Sequence, residues 1–174
     1  MPFRLRASAT RGYADHGWLK SYHSFSFASY HDPRYDEYGA LRVINEDWVA
    51  SGQGFGTHSH RNFEIFSYIL EGKLEHKDSM GHLEVLPRGF IQFTSAGSGI
   101  SHSEYNGDKA GAGGAPVRFL QMWVKPDSMG LRPAMKPRNL RMRTRSTGLL
   151  SSSLPKAAKA VSPSATMLTS LHPS

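Results

Sequence analysis

Apolar and polar positions along this chain alternate in short runs and show little of the three-to-four-residue recurrence of a helix. Runs at 40–46, 63–70, 73–76, 83–86, 90–94 and 117–124 are rich in β-branched and aromatic residues, which fit a pleated, half-buried surface. Turn chemistry bounds them, in SGQGFG, EGK, KDSMGH, PRG, AGSG and GAGG. Short, closely spaced strands without helices between them predict an all-β sandwich or barrel. No internal repeat is visible. Phe63, Phe66, Tyr68, Phe93, Phe119 and Trp123 are expected to supply its core.

Composition changes this picture only near the C-terminus. A chain of 174 residues fits one domain, or one domain and a tail. All 14 Asp/Glu lie at or before Asp127, while 8 of the 21 Lys/Arg lie after it. All aromatics lie at or before Trp123. The net charge of +7 therefore belongs to residues 128–174, and the body is near neutral. A nucleic-acid partner gains no support, because no aromatics interleave the basic residues. The predicted organisation is a domain over 1–127 and a basic, Ser/Pro/Ala-rich tail over 128–174. The tail is expected to have no regular place in a sheet. Natural disorder and translation out of frame both fit its lack of acids and aromatics.

There is no cysteine, so any metal must be held by nitrogen and oxygen. The first 20 residues lack the apolar stretch of a secretory signal, and no apolar run approaches the roughly 20 residues of a membrane span. No membrane association is expected, and the expected compartment is cytoplasmic.

Two pairs of residues carry the candidate chemistry. His58 and His60 are two apart, so on a strand they share a face. His102 and Glu104 do the same in SGISHSEYN. Glu64 has the parity of the first pair if no bulge intervenes. Two such strands facing each other present three imidazoles and one or two carboxylates to one point. That donor set suits one divalent ion, Fe(II), Ni(II), Mn(II), Co(II) or Cu(II), with Zn(II) also compatible. His16, His23, His31, His76 and His82 share no such face and read as ordinary surface, turn or hydrogen-bonded histidines.

At these residues the chain resembles the cupins. Gly52, five residues, His58-Ser-His60, three residues and Glu64 look like the first cupin motif, closed by Gly72. Gly81 and Pro87-Arg88-Gly89 look like the start of the second motif, and His102 with Asn106 like its end. The long gap from Gly89 to His102 is typical of one subfamily, the pirins. RGYADHGWLKSYHSFSF, LRVINED, HSHRNFEI, LEGKLEHKDSMG and AGSGISHSEYN all resemble that family, over about residues 6–124.

The resemblance implies a cupin double-stranded β-helix, or jelly-roll barrel. It implies that His58, His60, His102 and Glu104 hold the metal, with Fe(II) favoured. Pirins carry two such barrels, and no second one is recognisable here. Bacterial pirins are known as quercetin 2,3-dioxygenases, which use a small phenolic substrate and O2. Glu104 or Glu64 would then take the substrate's hydroxyl proton, with Glu64 also able to orient a ligating histidine. Mammalian members are described as iron-dependent transcriptional co-regulators, which implies a protein partner and no catalysis. A truncated, inactive product is the third expectation.

Overall fold

A computed structural model describes residues 5–109 and 113–139. After one 3-10 turn (Ser8–Thr10) the described residues form eleven strands. They are β1 (Gly12–Asp15), β2 (Leu19–His23), β3 (Leu41–Val49), β4 (Gly54–His60), β5 (Glu64–Glu71), β6 (Lys73–Asp78), β7 (Leu83–Pro87), β8 (Phe90–Ser95), β9 (Ile100–Asn106), β10 (Val117–Val124) and β11 (Ala134–Asn139). The all-β expectation holds. No helix among the described residues is long and apolar enough to cross a membrane.

The strands form a seven-stranded sheet, β1-β2-β3-β10-β5-β8-β11, and a four-stranded sheet, β4-β9-β6-β7. Every pairing is antiparallel. The result is the two-sheet jelly roll. One end of the space between the sheets is filled by Leu19, Val49, Ile69, Leu74, Leu86, Val117 and Phe119. Beyond that end, the larger sheet's inner face carries a polar row. Register aligns His23, Asn45, Gln121, Ser67 and Gln92 across five neighbouring strands. All five are buried. A buried polar row needs partners, and this one faces the histidine strands of the smaller sheet.

The aromatic core expectation holds for Phe119; Phe93 is buried, but on the outer face of the larger sheet, and Phe66 and Tyr68 are only partly buried. The inner face of β5 carries Ile65, Ser67 and Ile69, each fully buried. Phe66 lies on the other face, where it packs on Phe93 with ring centroids 4.8 Å apart. Side chains alternate along a strand, so a run of mixed apolar residues does not say which parity faces in.

A strand lies beyond the boundary expected at residue 127. β11 pairs with β8 from Ala134↔Ser95 to Asn139↔Phe90 and extends the larger sheet. Met135 is buried. Leu131 accepts a backbone hydrogen bond from Ser98 at 2.7 Å. This segment crosses so close to Gly97 that a Cβ there would lie 2.0 Å from the Leu131 oxygen. A regular sheet role past residue 130 corrects the expectation, and residues 140–174 lie outside the described residues. Ending the chain at Gly130 should therefore lower its urea midpoint. The lost Met135 burial alone is worth roughly 1.5–3 kcal/mol, and β8 would gain an open edge. An unchanged midpoint would show that β11 adds nothing.

Candidate metal centre

β4 and β9 lie side by side, with His58 opposite His102 and His60 opposite Ile100. A bulge between Phe55 and His58 re-aims the histidine end of β4. Close approach of the two strands requires Gly54, where a Cβ would meet the Glu104 carbonyl oxygen at 2.3 Å.

The three imidazoles converge through matching nitrogens. His102 Nε2 lies 2.9 Å from His60 Nε2 and 3.0 Å from His58 Nε2. One ligating atom from each residue lies within 4.8 Å of the others. These spacings fit a metal. Nitrogens about 2.0–2.1 Å from one ion, at right angles, are about 2.9 Å apart. His58 Nδ1 donates to the Gly56 carbonyl at 2.8 Å, which leaves Nε2 as the bare donor. Burial, then the His102 and His58 charges, push His60 down to about 3. Burial, then His58 and His76, push His102 down to about 3 as well, against an opposing pull from Asp78. Both rings are therefore neutral at physiological pH, the form that ligates.

Glu104 shares the interior face of β9 but does not join the histidine group. Its Oε1 accepts from Ser67 Oγ at 2.9 Å and its Oε2 from Gln121 Nε2 at 2.9 Å. Each carboxylate oxygen has two lone pairs, so one of each remains.

Glu64 departs from the expectation. It lies three residues before Ser67 and therefore on the outer face of β5, where Ser95 Oγ donates to it at 2.8 Å. The shared parity with His60 is broken at residues 61–63, where β4 ends and Asn62 turns with φ +56°. Glu64 orients no histidine of the cluster.

His76 is the residue that sequence reasoning missed. It is fully buried on β6, and its Nε2 lies 2.9 Å from His102 Nδ1. For His102 Nε2 to ligate, Nδ1 must carry the proton and donate to His76. Such outer partners fix a ligand's tautomer and ring orientation. The alternation Leu74, His76, Asp78 was the available signal, since all three are buried on the inner face of the sheet that carries the cluster. His76→Phe should therefore lower metal affinity by roughly 10–100-fold, measured by titration with Ni(II). Unchanged affinity would reduce His76 to a space-filling residue. His82, half-exposed and bonded to Asp78 at 2.8 Å, serves as the control.

The family model described as Pirin matches residues 4–124. The Escherichia coli (strain K12) protein called quercetin 2,3-dioxygenase is 48% identical over 134 residues, 77% of this chain and 56% of that protein. A pirin-like protein of Caulobacter vibrioides is 45% identical over 123 residues, 71% of this chain and 51% of its own length. The crystal structure of bacterial pirin YhhW from Escherichia coli in complex with nickel(II) superposes with a TM-score of 0.73 at 47% identity, covering 77% of this chain and 56% of that one. The chain thus spans about half the length of the curated relatives it matches.

Proposed function

This chain belongs to the pirin family, and on that premise we propose that it is a metal-dependent oxygenase of the quercetin 2,3-dioxygenase type, acting on a flavonol-like phenol with O2. The observation that carries the reading is the convergence of three imidazoles, with His102 Nε2 about 3 Å from the Nε2 of both His58 and His60, beside a cavity of about 310 Å³ that His58 and His60 line. His58, His60 and His102 would hold a divalent ion, with Glu104 as the fourth ligand. Fe(II) is the ion we favour. Such an ion lowers the pKa of a hydroxyl bound to it, as it does for bound water.

The chain's own residues supply the rest. Glu104 is the one carboxylate on the cavity wall within the family's ligand motif, and it would take the substrate's hydroxyl proton. Ser67 and Gln121 hold it in place through that transfer. Phe55 and Trp123 flank the histidines, with the His60 and Trp123 rings 4.9 Å apart, and exclude water from the reacting face.

The test loads the chain with Fe(II), Ni(II), Mn(II) or Co(II) in turn and follows quercetin decay and O2 uptake together. Turnover with about one metal per chain is expected. Full metal occupancy without quercetin loss would refute the oxygenase reading and favour a metal-dependent binding protein.

A further inference from the structure

The cavity beside the histidines has two walls of different chemistry. His58, His60 and Glu104 line one. The other is built on β2 and β3, where Ser21 pairs with Asp47 and His23 with Asn45. All four are buried, between 2% and 4% exposed, and all four line the cavity. Packing four polar side chains together inside a barrel costs free energy unless they bond to something.

Their internal bonds use only part of their capacity. His23 Nδ1 donates to Asn45 Oδ1 at 2.9 Å, which leaves Nε2 as an acceptor. Ser21 Oγ donates to Asp47 Oδ1. Among the described residues, no group bonds Asp47 Oδ2, Asn45 Nδ2 or His23 Nε2, and none of these atoms is sealed from the cavity. A ligand there meets two acceptors and one donor on a single wall.

We propose that Ser21, His23, Asn45 and Asp47 form a hydroxyl-recognition subsite, which takes the ring hydroxyls of a planar polyphenol whose other end lies against the histidine cluster. The inference rests on the flavonol reading and extends it to the part of the substrate remote from the reaction. Three observations support it. Asp47 and Glu104 make the cavity acidic, which favours a neutral ligand with hydroxyl donors over a carboxylate. Leu19 and Phe27 provide apolar flanks for a ring. Burial pushes the Asp47 carboxyl up to about 7, opposed by the Ser21 hydrogen bond and aided by Glu104 and Glu46, so near neutrality it both donates and accepts. The cavity volume is at the lower end of small-molecule sites and suits a two- or three-ring molecule.

Binding is the direct test. The nickel-loaded chain is titrated with quercetin and with 3-hydroxyflavone, which lacks the other ring hydroxyls, and tryptophan fluorescence is followed. Quercetin should bind at least about tenfold tighter, the size of one or two added hydrogen bonds. Asn45→Leu and the near-isosteric Asp47→Asn should each weaken quercetin by about tenfold and 3-hydroxyflavone by no more than about threefold, with nickel content intact. Equal binding of the two flavonols by the unmodified chain, or parallel losses in the variants, overturns the subsite alone. A clear preference without O2 uptake supports the subsite and removes the oxygenase. Binding of neither flavonol overturns both.

Discussion

A chain carrying His102→Ala should purify without metal and leave quercetin unchanged. His102 is the hub of the site. Its Nε2 faces both other histidines, at 2.9 and 3.0 Å, and its Nδ1 faces His76 at 2.9 Å. Removing it takes one ligand directly and leaves His76 Nε2 buried with no partner. Loss of a ligand should exceed the roughly 10–100-fold typical of outer partners. The orphaned imidazole adds a stability cost of about 1–3 kcal/mol. His102→Gln keeps a polar group in that space and separates ligand loss from misfolding. Glu104→Gln should also weaken binding, for two reasons. It removes the negative charge, and it places an NH2 group against one of the two donors, Ser67 Oγ and Gln121 Nε2, that now share the carboxylate. His82→Ala should leave metal content unchanged. Metal analysis of the purified variants, read beside their thermal melts, decides the matter. Full occupancy in His102→Ala would place the metal elsewhere.

The parts of this fold that were legible in the chain are those where chemistry and periodicity coincide. β10 was expected over 117–124 and runs from Val117 to Val124, because apolar residues fill it and glycine or proline bounds it. The two-residue spacing of His58 with His60, and of His102 with Glu104, placed each pair on one face, and β4 and β9 bring the three histidines together. What was hidden is the polar interior. β2 buries Leu19, Ser21 and His23, a pattern with one apolar residue that does not read as a core strand. Asp47 and His76 are buried for the same reason and gave no hydrophobic signal. Glu64 failed differently. Parity counts carry across a strand but not across a turn, and Asn62 sits in that turn. β11 was missed because a basic segment with prolines looks like a linker, whereas its place is decided by the open edge of β8.

Asp47→Asn should stabilise the protein most at alkaline pH. Burial is the main cause that lifts the Asp47 carboxyl to about 7, while in the unfolded chain it titrates near its ordinary value of about 3.9. Between those values the unfolded chain releases a proton that the folded chain keeps. Acidic conditions, where both states hold the proton, retain the full stability. That stability is lost progressively as pH rises from about 4 and is gone once pH has passed through about 7. The span is about three pH units, or on the order of 4 kcal/mol at 1.36 kcal/mol per unit. Asparagine has no proton to lose, and its side-chain oxygen still accepts from Ser21 Oγ. The two melting curves should therefore lie closest near pH 4, separate steadily through pH 5 and 6, and stay apart above about pH 7, with the variant higher. His60 and His102, pushed down by burial, bend both curves the other way, lowering stability as pH falls below about 6.5, and so cancel in the difference. A divalent ion at the histidine cluster brings positive charge toward Asp47 and favours its carboxylate, so added Ni(II) should narrow the gap. Melting curves that stay parallel from pH 5 to 8 would mean that Asp47 is an ordinary carboxylate, hydrated through the cavity it lines.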